Sequence, residues 1–213
     1  MAGSVSRRPK KKRADRYHHG DLRRALVDEA LRTIHTHGVE DLTLRGAGAR
    51  LGVSRTALYR HFSDKQALVA AVGREGFRVL RLALSDAWQR HGKGRRGFEA
   101  MGVAYVNFAV AHPSHYRVMF GRFVESCVRD PEFVQEAEAA FQALVDALVA
   151  QQREGLVRRD DPVALARFVW SVVHGVAMLT IDGQLPNSGD SECLPRRYVT
   201  ERIQSAITAA ASS

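Results

Sequence analysis

The stretch from Thr43 to Phe62 constrains the fold more than any other part of this chain. It predicts two helices of about eight and seven residues, joined by a turn of three to four residues around Gly52. Thr43 and Ser54 stand where N-caps belong, because their hydroxyls can accept hydrogen bonds from free backbone N–H groups. Gly52 can adopt a positive φ at no steric cost. The second helix is too short and too polar to be a core element, so the pattern predicts a helix-turn-helix.

The rest of the chain shows helical periodicity, with no strand pattern and no internal repeat. Residues 91–97 and 182–194 have the composition of loops. Further helices are predicted over residues 21–36, 64–90, 98–111, 114–124, 131–154, 162–181 and 195–210. We therefore expect an all-α protein. A basic arm over residues 1–16 is predicted to be disordered, a three-helix DNA-binding domain to span 17–65, and a larger helical domain to span 66–213.

Positive charge is concentrated at the N-terminal end. The whole chain carries a net charge of +9, and up to Lys65 there are 15 lysines and arginines against 7 acidic residues. The remainder is nearly neutral, which is typical of a polyanion-binding module attached to a neutral body. The arm itself can lie along DNA or be no more than a solvated, solubilising tail.

Other classes of function find little support in the sequence. There is no unbroken apolar run of about 18 residues and no apolar segment near the N-terminus, so we expect neither a membrane span nor export. Cys127 and Cys193 lack a Cys-x-x-Cys spacing and are expected to be reduced thiols in the cytoplasm. Neither His112 with His115 nor His18 with His19 has carboxylates at ligand spacing. No phosphate-binding glycine loop or nucleophile elbow is present. We expect no metal, no cofactor and no enzymatic activity.

The segment from about Leu22 to Leu68 resembles the DNA-binding domain of the TetR (tetracycline repressor-like) family. The matching pieces are Leu42-Thr43, Leu51-Gly52-Val53-Ser54 and, most diagnostic, Leu58-Tyr59-Arg60-His61-Phe62-Ser63-Asp64-Lys65-Gln66-Ala67-Leu68. The resemblance implies a DNA-binding set of Thr43, Arg45, Ser54, Arg55, Thr56, Tyr59, His61 and Lys65.

Within that set, Arg55, Thr56 and Arg45 are the candidates for contacting base edges, and the others for phosphates or capping. The alternatives are a packed core position for Tyr59 and a solvated charge for Arg55. The chain departs from the family at Gly46, Ala47 and Gly48, where larger residues are usual. Two glycines in a short helix cost about 1 kcal/mol each relative to alanine, so this helix is expected to be soft before DNA binds.

From about Phe98 onward the chain resembles one C-terminal branch of the same family, the WHG type. The matching pieces are residues 104–109, residues 112–120 and Trp170-Ser171-Val172-Val173-His174-Gly175. The resemblance implies a body that dimerises and encloses a ligand cavity. The last two helices are expected to form the dimer interface, since residues 168–181 are apolar on nearly every face. In the last helix an apolar stripe is formed by Val199, Ile203, Ile207 and Ala210.

For the ligand cavity that the resemblance implies, aromatic residues and methionines at helical spacing are candidates for an apolar lining, which would suit a small apolar or aromatic effector. The candidates for its lining are Tyr105, Phe108, Tyr116, Met119, Phe120, Trp170, His174 and Met178. The alternative for each is an ordinary core position, and His174 can equally satisfy a buried carbonyl.

Together these features predict a bacterial, cytoplasmic, nucleoid-associated homodimer that binds a palindromic DNA operator and responds to a ligand, most simply as a repressor. Two alternatives stay open at this point. One is a constitutive DNA-binding or architectural protein. The other is a small-molecule-binding module whose DNA contacts are degenerate.

Overall fold

The computed structural model describes residues 19–185 and 194–208, and side chains within 22–185 and 200–208. The predicted basic arm, Cys193 and Ala210 lie outside these ranges. The described residues form ten helices and one isolated β-bridge, between Val157 and Thr208, so the expected all-helical fold is confirmed. The helices are α1 His19–His37, α2 Leu44–Arg50, α3 Arg55–His61, α4 Lys65–Arg90, α5 Arg95–Ala111, α6 Pro113–Phe120, α7 Val124–Cys127, α8 Pro131–Arg153, α9 Pro162–Ile181 and α10 Leu194–Ile207.

Local capping explains where the first helices begin. The Thr43 hydroxyl accepts a hydrogen bond from the Gly46 N–H at 3.0 Å, and the Ser54 hydroxyl accepts one from the Ala57 N–H at 3.2 Å. The Asp64 carboxylate likewise accepts from the N–H of Ala67 at 2.8 Å. Each cap satisfies a donor that the first turn leaves unpaired. Gly52 turns the chain between α2 and α3 at a φ of +66°.

Two predicted helix boundaries are wrong, one where α5 packs on Trp88 and one at a glycine turn after α6. The predicted loop over residues 91–97 is too long, because α5 already begins at Arg95. Gly97 in its first turn lies so close to Trp88 that a Cβ would be 3.0 Å from the Trp88 carbonyl oxygen. The helix predicted to reach residue 124 ends at Phe120. The chain leaves the helix at Gly121, which is extended with a ψ of −172°, and a Cβ there would lie 2.2 Å from the Arg117 oxygen, so this turn requires glycine; α7 then forms a separate turn.

The long helix α4 connects the helix-turn-helix to the body and contacts α1, α5, α6, α7 and α8. Glycines on its inner face permit close packing. A Cβ on Gly73 would lie 2.6 Å from the Phe133 ring of α8, and one on Gly76 would lie 2.5 Å from the Met119 sulfur of α6. Opposite α4, helices α9 and α10 pack on α5 and close the body.

The apolar stripe of α10 faces inward. Ile203 and Ile207 are buried in the chain's own core, and the Arg158 N–H donates to the Ile207 carbonyl at 3.0 Å. The stripe was expected to contribute to the dimer interface, and for these two residues that expectation is wrong because they already complete the fold of one subunit.

Helix α9 is the one described helix long and apolar enough to cross a membrane, with a mean hydropathy of 1.6. Core helices of globular proteins meet the same test. Seven of its residues are buried, and it packs on α5, α8 and α10. These contacts favour its interpretation as a core helix.

Candidate DNA interface and effector cavity

The helix-turn-helix is held by a small apolar core that α1, α2, α3 and the start of α4 share. Leu26, Leu42 and Ala47 are fully buried, and Leu58 and Phe62 are nearly so. The small residues of α2 let it approach α3 closely. A Cβ on Gly48 would meet the Leu58 side chain at 3.0 Å, so glycine there permits close packing as well as costing helix stability.

The eight residues implicated in DNA binding lie on α2, on α3 or at the boundaries of these helices and α4. Six of them are exposed: Thr43, Arg45, Ser54, Arg55, Thr56 and Tyr59. The other two, His61 and Lys65, are half-buried. Tyr59 is 40% exposed and lies 5.6 Å below the Arg55 guanidinium, measured to the ring centroid, so it is not a core aromatic. Most of the set is therefore free to contact a groove or a phosphate.

Lys65 also takes part in the contact between the helix-turn-helix and the body. Its Nζ donates a hydrogen bond to the Glu40 carbonyl at 2.9 Å and lies 5.8 Å from the Phe123 ring centroid. The Glu40 carboxylate forms an ion pair with Arg122, which lies over the same ring. These contacts join the α1–α2 loop to the segment after α6.

The sequence analysis missed a charge network around the buried carboxylate of Glu29, which links α1 to α2. Glu29 is only 7% exposed. Its carboxylate accepts hydrogen bonds from Arg32 at 2.6 Å and 2.9 Å and from Arg50 at 2.5 Å. Arg50 also donates to the Thr33 hydroxyl at 2.5 Å. Burial raises the pKa of Glu29, but the hydrogen bonds from both arginines outweigh it and hold that pKa below its ordinary value. The charged network thus anchors the end of α2 to α1.

A second missed residue is Arg23, which donates to the His61 carbonyl at 3.3 Å and lies 4.7 Å from the Phe62 ring centroid. It thereby holds the C-terminal end of α3 against α1. Arg23 and His61 are 38 positions apart, so no periodic signal reveals this contact.

An apolar cavity of about 180 Å³ lies within the body, with walls from α4, α5, α6, α8, α9 and α10. Three predicted lining residues, Tyr105, Phe120 and Trp170, do line it. Further lining comes from residues that the sequence analysis did not select, including Phe77, Met101 and Phe141. Their helical spacing is that of ordinary core residues, so nothing in the sequence distinguishes them.

Five predicted lining residues lie elsewhere, because the faces they occupy are covered by neighbouring helices. Met119 is buried against Gly76 of α4, and Phe108 borders a surface groove between α4 and α5. Met178 and Tyr116 border a crevice beneath the α1–α2 loop. His174 is half-buried behind the cavity wall, bonded to Tyr116.

Four aromatic side chains form a hydrogen-bonded group at one end of the cavity. The Trp170 Nε1 donates to the Tyr105 hydroxyl at 3.1 Å. The Tyr105 and Tyr116 hydroxyls are 3.0 Å apart, and His174 Nδ1 lies 2.7 Å from Tyr116 and 3.2 Å from Tyr105. Burial raises the pKa of Tyr105 to about 12 and raises that of Tyr116 further. Burial lowers the pKa of His174, so all four groups are neutral near pH 7.

Helix α6 separates this cavity from the helix-turn-helix. Phe120 lines the cavity and also the crevice, whose other walls include Ile34 of α1 and Val39 of the α1–α2 loop. Met178 of α9 closes the crevice from below. A displacement of α6 by a cavity occupant would therefore reach the α1–α2 loop directly.

No cluster of three or more His, Cys, Asp or Glu side chains suited to a metal ion occurs among the described residues. His112 and His115 do lie close, with ring centroids 5.6 Å apart. The described residues thus form two candidate sites: the exposed surface of the helix-turn-helix and the apolar cavity of the body.

Comparison with known proteins agrees with this architecture. Residues 26–72 match the model of bacterial regulatory proteins of the tetR family, and residues 98–201 match a tetracyclin repressor-like C-terminal domain. The chain is 24% identical over 187 residues to the HTH-type transcriptional regulator BetI of Cronobacter sakazakii, covering 86% of this chain and 92% of that protein.

Two further relatives are similar over most of their length. The HTH-type transcriptional repressor AcnR of Corynebacterium diphtheriae is 27% identical over 183 residues, which cover 82% of this chain and 86% of the repressor. A solved structure of a Rhodococcus sp. RHA1 protein of unknown function is 30% identical, with a TM-score of 0.81, over 92% of this chain and all of the other. With matches in both domains, the chain belongs to the tetR family of bacterial regulatory proteins and is a DNA-binding transcriptional regulator, not an enzyme.

Proposed function

We propose that this protein is a ligand-responsive repressor that binds a palindromic operator as a homodimer. The proposal is carried by the position of α6, which borders the apolar cavity on one side and the crevice beneath the α1–α2 loop on the other. A molecule in the cavity would act next to the helix-turn-helix without touching DNA. The response requires unequal affinity for the DNA-bound and released states, typically about 1–3 kcal/mol of coupling.

In this proposal α3 lies in the major groove. Arg55 and Thr56 contact base edges, with Arg45 of α2 as a third contact. Tyr59, His61 and Lys65 contact phosphates, as does Thr43, while Ser54 caps α3 at the surface. The exposure of most of these side chains supports the assignment.

The dimer is proposed to form through the last two helices, and chiefly through α9. Phe168 and Leu179 are exposed at 47% and 41%, and their separation of 11 residues places these two large apolar side chains on one face of α9. Ala164 and Ser171 lie between or beside them in helical register, and no atom lies within 4 Å of a Cβ built on Gly175. A face with small residues next to large apolar ones suits close packing on a two-fold copy of itself.

Two finer assignments accompany this proposal. Trp170, His174 and Gly175 support placing the C-terminal domain in the WHG type. A regulator of this kind would work in the bacterial cytoplasm and associate with the nucleoid when bound to DNA.

The test is fluorescence anisotropy of the full chain on DNA from just upstream of its own gene, near physiological salt and with excess random competitor. Binding about a thousandfold tighter than to random DNA supports the regulator. Uniform, salt-sensitive binding would indicate an architectural protein instead. Specific binding that no cavity ligand weakens would remove the ligand response from the proposal.

A further inference from the structure

One wall of the cavity contains hydrogen-bonding groups. Which of these groups donate and which accept restricts the kind of molecule that can bind there. The wall is formed by Tyr105 of α5 and Trp170 of α9, and the other described lining side chains are apolar except Thr200. A tyrosine hydroxyl has one proton to donate and two lone pairs that accept. Three neighbours surround the Tyr105 hydroxyl: Trp170 Nε1, Tyr116 Oη and His174 Nδ1.

The three shortest contacts in this group define a single direction for the protons. Trp170 can only donate, so its N–H occupies one lone pair of Tyr105. If the Tyr105 proton goes to Tyr116 Oη and the Tyr116 proton goes to His174 Nδ1, both hydroxyl protons and the Trp170 N–H have an acceptor. This arrangement uses the distances of 3.1, 3.0 and 2.7 Å and leaves only the longest contact, at 3.2 Å, without a hydrogen bond.

The opposite direction is less favourable. If His174 Nδ1 carries a proton and donates it to Tyr116, then Tyr116 donates to Tyr105 and the Tyr105 proton has no acceptor in the group. A buried hydroxyl proton without an acceptor is costly. A third arrangement, with Tyr105 donating to His174, leaves the 2.7 Å contact unused. The preferred direction leaves the Tyr105 oxygen with one unoccupied lone pair.

The volume of the cavity and its uncharged lining further restrict the molecules that can bind there. The cavity of about 180 Å³ is slightly larger than apolar cavities of about 150 Å³ that bind benzene, so it suits a molecule with a single ring. No charged side chain lines it among the residues that the structure describes. An ion would lose its hydration without a compensating partner there, which excludes anions and cations.

We propose that the cavity binds a small neutral single-ring molecule of the phenol class, whose hydroxyl donates a hydrogen bond to the Tyr105 oxygen. The inference rests on the proposed function in taking this cavity as the effector site. At this wall an acceptor such as an ether or a ketone could bind only if the Tyr105 proton turned away from Tyr116, which would leave the two hydroxyl oxygens 3.0 Å apart with no proton between them.

The experiment compares three probes of nearly equal shape on the full chain: 4-methylphenol, 4-methylanisole and p-xylene. Binding is measured by isothermal titration calorimetry and by the fluorescence of Trp170, with Trp170→Phe identifying its signal. We expect the phenol to bind at least about fivefold more tightly than either of the others, the value of one added hydrogen bond. Equal affinities, a preference for the ether, or no binding of any probe up to its solubility would each overturn the proposal.

Two matched variants locate the effect. Tyr105→Phe should bind all three probes equally, because the acceptor is gone while the ring remains. Tyr116→Phe removes a neighbouring hydroxyl but leaves Tyr105 able to donate to His174, so it should keep the preference for the phenol. A preference that survives Tyr105→Phe would contradict the assignment of the acceptor.

The direction in which the hydrogen bonds of this group are donated has its own spectroscopic test. Long-range ¹H–¹⁵N spectra of the free protein, assigned with His174→Gln, should show His174 with its proton on Nε2. A proton on Nδ1 would overturn the proposed direction. Operator release is measured separately: a phenol that binds without releasing DNA refutes the proposed ligand response and leaves the ligand class intact.

Discussion

At the scale of single residues, α3 presents its side chains because its apolar residues are few and buried. Leu58 of α3 is buried against α2. This packing turns Arg55 and Tyr59 of the same helix toward the surface. Exposure of this kind could be predicted from the sequence, since it follows from helical periodicity alone. The roles of Arg23 and Glu29 could not, because their partners lie 38 and 21 residues away on other helices.

Arg55→Ala should weaken specific operator binding by about 10- to 100-fold, corresponding to about 1–3 kcal/mol lost with one base contact. Competition anisotropy measures this loss. Arg129→Ala, which removes an exposed arginine of the body, serves as the control and should leave affinity unchanged. An equal loss on random DNA would assign Arg55 to the phosphates instead.

His115 should make stability depend on pH. Its Nε2 is buried without a hydrogen-bond partner among the described residues. Burial, followed by the charge of His112, lowers the pKa of His115 to about 4, although Glu75 and Asp28 raise it. Because the folded-state value lies below the ordinary 6.5, the unfolded chain binds the proton more tightly.

Stability should therefore be complete above about pH 6.5 and decline as the pH falls toward 4, by on the order of 2 kcal/mol. Urea unfolding at a series of pH values measures the slope. His115→Gln should flatten it, whereas His91→Gln, in an exposed loop, should not. Equal slopes in all three proteins would count against this role.

At the scale of elements, sequence signals located most helices well. The predicted range of α3 is Arg55–His61 and that of α9 is 162–181, and the structure has the same bounds. Caps and N-terminal prolines are local, so they can be recognised without knowing the fold. The ends at Arg95 and Phe120 depend on packing against Trp88 and on the turn at Gly121, which no local pattern reveals.

The two glycines of α2 predict a soft helix, but the Glu29 network anchors the end of α2 to α1 and should stabilise it. Glu29→Gln should remove the charge that Arg50 and Arg32 bind, at a cost of about 1–3 kcal/mol. Amide exchange in α2 should accelerate about tenfold for each 1.4 kcal/mol, and operator affinity should fall with it. Exchange is followed by NMR or mass spectrometry. The control is Glu75→Gln, which removes a carboxylate paired with Arg78 within α4.

At the scale of the whole molecule, the arrangement of two DNA-binding domains depends on the proposed dimer. Leu179→Glu would place a charge in the α9 face and should convert the dimer to a monomer, since an unpaired charge in a buried interface is costly. Sedimentation velocity measures the state, and operator affinity should fall together with it.

Leu82→Glu is the matched control, because Leu82 of α4 is also an exposed leucine, at 47%. It should remain as dimeric as the parent protein. A Leu179→Glu protein that stays dimeric would show that another face makes the interface.

Phe120 lines two spaces, the apolar cavity of the body and the crevice beneath the α1–α2 loop. Because the Phe120 side chain is shared in this way, a molecule that pushes it out of the cavity would push it into the crevice. If the cavity is the effector site, as proposed, recognition and response are the work of different residues: Tyr105 distinguishes molecules by hydrogen bonding, and Phe120 responds to their size. A molecule can consequently be a good ligand and a poor inducer, and new inducers can be obtained without altering Tyr105.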